Sequence, residues 1–177
     1  MILQTSNINK LKEFQRILPG LQSEKGKDLK EVQGTMNEVI IYKSLEAGKG
    51  IIVEDTILIV DGEEIVDIRW KIDSLTTTSD IRWIVSLGYN DGKSIKVYRG
   101  IIDGNLVKTD KEGFGFDPYF IPNGTDLSLQ ELTELNQKDK YSARNIALIN
   151  LKNKKFTKKI RVKDVPVWTG KYQNEEV

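Results

Sequence analysis

"IIVEDTILIV" occupies residues 51–60, and its reading decides how the rest of the chain is organised. The run is rich in β-branched residues and reads as a strand. Two acids, Glu54 and Asp55, nevertheless stand in its middle. Neighbouring residues on a strand point to opposite faces. At least one of these acids therefore faces the interior, or the chain bends there. Burying an unpaired carboxylate costs on the order of several kcal/mol, and a divalent cation would offset that cost. The competing reading is a tight turn between two strands, with both acids in water.

Working outward, the chain alternates helix and strand signals. "MILQTSN" is a short apolar strand ending in polar residues, and Ser6 or Asn7 can cap a helix starting directly after it. Leu11, Phe14, Ile17 and Leu18 recur at helical spacing until Pro19-Gly20 stops the pattern. A second helix begins at "GTMNE", where Thr35 and Glu38 form a capping-box pattern. Its buried stripe is read as Met36, Val39, Ile40 and Ala47. Beyond the acid pair, two strands flank a hairpin turn at Asn90-Asp91-Gly92, and Gly104-Asn105 marks another turn. "SLQELTEL" and "SARNIALINLKN" read as helices, the second with Ile146, Ile149 and Leu151 inward. Mixed elements with several antiparallel pairs give a mixed α/β or α+β class.

Composition narrows the chemistry. The 177 residues are 38% hydrophobic, enough for one domain with a real core. Charged residues make up 30% but sum to a net charge of +1, which argues against a nucleic-acid footprint. There is no cysteine and no histidine, so thiolate zinc sites, disulfides and imidazole bases are excluded. Acid–base or metal chemistry must rest on carboxylates, which suit hard ions such as Mg²⁺. No signal peptide or membrane-length apolar run is present, so a soluble cytoplasmic protein is expected.

Three further stretches carry chemistry under one of two readings. In "TSNINK", residues 5–10, a strand end, a helix start and Lys10 make either an ordinary capped helix or an anion site. Glu38 either caps its helix or shares a metal with Asp55. Lys43, in an otherwise apolar stripe, either snorkels to solvent or meets a phosphate. "GFGFDPYF", residues 113–120, packs rings beside one acid in a glycine-hinged loop. Phe114 and Phe116 would stack on a flat heterocycle, and Asp117 would accept from its ring N–H groups. The other reading is a loop anchored in the core. In "KDKYSAR", Lys138, Ser142 and Arg144 are donors near a helix start or plain surface charge.

The order of these pieces resembles the inosine triphosphate pyrophosphatase family, the non-standard purine nucleoside triphosphate pyrophosphatases. "TSNINKLKEF", "KDLKEVQGTMNEVIIYKSLEA", "VEDT", "VYRG", "GFGFDPYFIPNGT" and "KDKYSAR" carry the resemblance over residues 1 to about 150. It implies an elongated mixed sheet with flanking helices, two lobes and a nucleotide-binding cleft. It also implies a homodimer, a Mg²⁺ requirement, and cleavage of a triphosphate to nucleoside monophosphate and pyrophosphate. Thr5, Asn7, Lys10 and Lys43 would then hold phosphates. Glu38 and Asp55 would ligate Mg²⁺, with Glu54 close by and Asp55 activating water. Phe114, Phe116, Asp117, Lys138, Ser142 and Arg144 would build the base pocket. The whole chain would be one such domain, and no nucleic-acid or membrane partner is expected.

The chain also departs from the family pattern. Ala143 stands where the family has a histidine, and Ile57 where it has a glycine. "GEEIVDIRW" replaces a Gly-Pro-Gly stretch, and the segment between Trp70 and Trp83 is short and reads as lacking a helix. Residues from about 156 onward form an extension, in which "VPVWTG" is an added strand or an oligomer contact. These departures keep two alternatives open: the same reaction on a different or modified base, and a non-catalytic nucleotide-binding module.

Overall fold

Each of the first three helices starts where the sequence supplies a side chain to cap it. The computed structural model describes residues 1–65 and 79–173. In α1 (Ile8–Ile17), Asn7 Oδ1 accepts from the backbone N–H groups of Asn9 and Lys10. In α2 (Met36–Ala47), Thr35 and Glu38 form the full capping box. Ser128 and Glu131 repeat that box at α3 (Leu129–Glu134). α4 (Ala143–Lys152) begins immediately after Ser142. These caps satisfy backbone donors that a first turn leaves unpaired.

The buried faces differ in part from the stripes read in the sequence. α1 is anchored by Phe14, which is fully buried. α2 buries Val39, Ile40, Ile41 and Ser44, whereas Met36 and Ala47 are only half-buried. Ser44 belongs inside because its Oγ donates to Ile40 O at 2.7 Å, so the hydroxyl needs no water. α4 buries Ala147, Leu148 and Leu151, while Ile149, expected inward, is exposed.

Among the described residues, eight strands join one mixed sheet. They are β1 (Ile2–Gln4), β2 (Gln22–Glu24), β3 (Ile51–Val60), β4 (Glu63–Ile65), β5 (Asp80–Asn90), β6 (Ser94–Leu106), β7 (Phe120–Pro122) and β8 (Lys158–Arg161). Their order is β2-β1-β3-β5-β6-β7, with β4 beside β3 and β8 beside β6. β1 pairs in parallel with both β2 and β3, and β7 and β8 run antiparallel to β6.

Residues 51–60 form one continuous strand, so the tight-turn reading of Glu54-Asp55 does not hold. Gly104-Asn105 is likewise strand and not turn. Gly104 is required there because a Cβ would fall 2.2 Å from Ile121 O and 2.7 Å from the Phe120 ring. "VPVWTG" forms no strand and runs as an irregular strap. The expectations for Trp70 and the segment after it fall on residues outside those described.

The chain divides into two compact units. The first comprises Met1–Asp55, Ser86–Arg99 and Ala147–Val177, and the second Thr56–Val85 and Gly100–Ile146. The first is built on Ile40, Ile41, Ile51, Val53, Ile95 and Val97. The second is built on Leu58, Val60, Ile81, Leu106, Phe116, Phe120, Leu129 and Leu132. No described helix is long and apolar enough to cross a membrane.

Candidate functional site

The first unit carries a polar pocket of about 520 Å³, lined by Thr5, Ser6, Lys10, Lys25, Lys27, Asp28, Glu31, Lys43 and Glu54 among others. The two strand acids of β3 each meet a lysine. Glu54 Oε1 lies 3.0 Å from Lys10 Nζ, and the Glu54 side chain is only 5% exposed. Asp55 Oδ1 lies 3.7 Å from Lys43 Nζ. Lys43 Nζ also donates to Glu31 Oε1 at 2.7 Å, so that lysine stands between two carboxylates. Strand alternation thus sends one acid to a lysine of α1 and the next to a lysine of α2. The charge that would make a carboxylate too costly to bury is balanced inside the protein.

Thr5, Lys10, Lys43 and Glu54 line this pocket together, and Asp55 reaches Lys43 without being among its lining residues. Asn7 and Glu38 are occupied by local duties. Asn7 Oδ1 serves the start of α1, and Glu38 Oε2 accepts from Thr35 N at 2.7 Å and Thr35 Oγ1 at 3.0 Å. Neither lines the polar pocket. Sequence reasoning missed Glu31, Lys25 and Lys27. They lie in the irregular chain between β2 and α2, where no periodicity marks a facing side. The single available signal was the cluster of charge around an isolated apolar Val32.

The second unit carries the aromatic loop and a smaller cavity. Lys138 Nζ donates to Asp117 Oδ2 at 2.6 Å, with both residues buried. Ser142 and Arg144 are buried beside them and line the same cavity, together with Trp83, Phe120, Tyr141 and Ala143. The surface-charge reading of Lys138 and Arg144 is thereby overturned: both residues are buried, Lys138 against Asp117. Ser142 Oγ also accepts from Asn145 N, which ties it to the start of α4. The cavity measures about 10 Å³, room for roughly one water.

The two loop phenylalanines part company. Phe116 is 6% exposed and packs against Trp83, Tyr119 and Phe120, with ring centroids 5.8, 5.9 and 6.5 Å away. This corrects its reading as a stacking ring, because its faces are already covered by other rings. Phe114 is half-buried, and Lys138 Nζ lies 5.8 Å from its ring centroid.

A metal was expected on Glu38 and Asp55. Among the described residues, no group of three or more acidic, histidine or cysteine side chains is arranged to hold an ion. Mg²⁺ does not require such a cage, since it commonly binds through one or two carboxylates, several waters and substrate phosphates. Glu54 and Glu31 present hard oxygen donors among the lysines of the polar pocket, and Asp55 reaches Lys43 from outside its lining; one or two carboxylates of this kind fit a hard divalent ion.

A mixed α/β sheet thus carries a lysine-and-carboxylate pocket in one unit and, in the other, a small apolar-lined cavity edged by buried charges. The chain belongs to the Ham1 family, whose profile matches residues 1–62 and 71–154. It is 31% identical over 166 residues to the inosine triphosphate pyrophosphatase of Scheffersomyces stipitis, a match covering 72% of this chain and 84% of that one. It is 28% identical over 176 residues to the enzyme of that name from Schizosaccharomyces pombe, covering 86% and 93%. In fold it is similar to the Staphylococcus aureus Ham1 protein, with a TM-score of 0.63 at 24% identity over 87% of this chain and 98% of that one.

Proposed function

We propose that this protein hydrolyses non-standard purine nucleoside triphosphates such as ITP, dITP and XTP to the nucleoside monophosphate and pyrophosphate. Such an activity removes triphosphates that carry non-standard bases from the nucleotide pool. The observation that carries the reading is the polar pocket, where Lys10 and Lys43 stand against two adjacent strand acids in a member of the Ham1 family. A triphosphate brings about four negative charges, and lysines beside a helix start are suited to receive them.

In this reading Thr5, Lys10 and Lys43 bind the polyphosphate, and Asn7 contributes through the helix start that it caps. The polyphosphate charge draws the lysines from their carboxylates. Asp55 then accepts a proton from a water whose oxygen bonds to the α-phosphorus. The bridging bond to the β-phosphate breaks, and pyrophosphate leaves. Asp55 and Glu38 would hold Mg²⁺, with Glu54 beside them, once Glu38 gives up its bonds to Thr35. The chemistry such an ion supplies is charge neutralisation and alignment of the phosphates for in-line attack.

The base is read by residues of the second unit, whose cavity of about 10 Å³ would have to widen to admit a ring. Asp117 and Lys138 form a buried acceptor–donor pair, and Arg144 and Ser142 supply further donors. A donor opposite a 6-oxo group favours hypoxanthine or xanthine, because adenine's amino group would leave it unpaired. Phe114 covers the face of the base. A second reading keeps the reaction but changes the base. Ala143 is buried in the cavity wall and offers no side-chain donor, which favours a different or modified ring.

The whole chain is read as one catalytic domain, working as a homodimer in the cytoplasm. The decisive experiment incubates the protein with Mg²⁺ and a panel of triphosphates and quantifies pyrophosphate against orthophosphate. Pyrophosphate from ITP supports the proposal, and preferential turnover of another base supports the second reading. Orthophosphate as the primary product, or binding without turnover, overturns both.

A further inference from the structure

The segment between β2 and α2 lines much of the polar pocket yet has no regular structure of its own. Something must hold it, because an irregular chain carrying four pocket-lining charges would otherwise lose conformational entropy to present them. At one end Gln4 Nε2 donates to Lys27 O at 2.7 Å. In the middle, Lys30 N donates to Glu46 Oε2 at 2.8 Å.

At the other end the holding is done by residues more than a hundred positions away. Gln173 N donates to Glu31 O at 2.8 Å, and Gln33 N donates to Lys171 O at 2.9 Å. Gln173 Nε2 donates to Val32 O at 3.1 Å, and Val32 pairs with Tyr172 as an antiparallel bridge. Val32 is buried, and Lys30 Nζ lies 5.4 Å from the Tyr172 ring centroid. The strap is itself fixed on α2. Trp168 meets Tyr42 edge-on at 5.1 Å, and Tyr42 Oη donates to Pro166 O at 2.7 Å. Gly34 allows this close approach, since a Cβ there would fall 3.1 Å from the Trp168 ring.

We infer that the strap formed by residues 165–173 holds Glu31 in place, and that Glu31 is a positioning residue for Lys43 in the polar pocket. The strap bonds the backbone of Glu31, and the Glu31 carboxylate bonds the Lys43 ammonium at 2.7 Å. The extension is thus part of the pocket's scaffold and determines where its central cation sits. Only the kinetic part of this inference rests on reading Lys43 as a phosphate ligand.

The test is competitive acetylation of the full chain, read lysine by lysine by mass spectrometry. Lys96, paired with Asp91 at 3.0 Å, is the internal control. Glu31→Gln should raise labelling of Lys43 by about fivefold, the scale of losing one partly exposed ion pair, and leave Lys96 unchanged. Trp168→Ala with Tyr172→Ala should raise Lys43 labelling to the same degree, and adding Glu31→Gln should raise it no further. On any triphosphate that is turned over, both variants should raise KM, a change that loss of folding alone, which lowers apparent kcat at unchanged KM, does not give.

Wild-type labelling of Lys43 in the strap variant, or effects that add to those of Glu31→Gln, would overturn the inference. If the double strap variant does not fold by circular dichroism, Tyr42→Phe replaces it, deleting only the bond to Pro166 O. Lys43 labelling must still rise, and an unchanged value is equally fatal. A wild-type protein that turns over no triphosphate defeats the proposed function, but the labelling result stands apart from it.

Discussion

Lys138 Nζ lies 2.6 Å from Asp117 Oδ2, and the two side chains are 9% and 5% exposed. Each charge is tolerated at that depth because the other is present. Asp117→Asn should therefore cost about 3–5 kcal/mol of stability in urea unfolding, the scale for breaking a buried pair from one side. Replacing both, with Lys138→Met and Asp117→Leu, should restore most of that stability. Nucleotide affinity should stay low in the double variant, because the donor–acceptor pattern is gone. Full affinity in that variant would remove the pair from base recognition.

Phe114 and Phe116 sit two residues apart but should fail in different ways. Phe116→Ala opens a hole among Trp83, Tyr119 and Phe120 and should cost about 3–5 kcal/mol of stability. Phe114→Ala should leave the unfolding midpoint nearly unchanged and weaken nucleotide binding by about 1–3 kcal/mol. Calorimetric titration beside a thermal melt separates the two, and a reversed pattern would exchange their roles.

Asp55 is the group assigned to activate water. Asp55→Asn preserves shape while removing the proton acceptor and the charge beside Lys43. Turnover should fall by about 10²-fold or more, with the circular dichroism spectrum unchanged. Near-wild-type pyrophosphate release from ITP would take Asp55 out of the mechanism.

Acid stability should depend on the β5–β6 hairpin. Backbone N–H groups of Ser94 and Lys93, then the Lys96 side chain, hold the Asp91 carboxyl down to about 2. Lys111 and the Ser128 backbone likewise hold Glu131 down to about 2. Both folded values lie below those of the unfolded chain. Their stabilisation is therefore complete above about pH 4–5 and is lost as pH falls toward 2. Asp91→Asn should lower the melting temperature at pH 7 and flatten its decline below pH 4. A parallel decline in both proteins would show that other groups dominate.

Much of the local architecture was legible because caps and turns are made by residues three or four apart. Asn7, Thr35 with Glu38, and the Asn90-Asp91-Gly92 turn all stand where the pattern put them. The misreadings have a common cause. Gly104 resembles a turn residue until Phe120 is seen to need the space above it. Ile149 resembles a core residue until the burial of Ala147, Leu148 and Leu151 shows which side of α4 turns inward.

The sequence by itself determined the chemistry available: carboxylates and lysines without histidine or cysteine, an acid pair inside a strand, and an aromatic loop beside one aspartate. Tertiary structure alone decided which charges meet. Glu54 faces Lys10, Lys43 stands between Glu31 and Asp55, and Lys138 is drawn inward to Asp117. Those choices depend on the cost of burying a charge, which only a partner brought from elsewhere in the chain can offset. Such partners leave no mark in local periodicity, and neither does a strap that reaches from residue 173 back to residue 31.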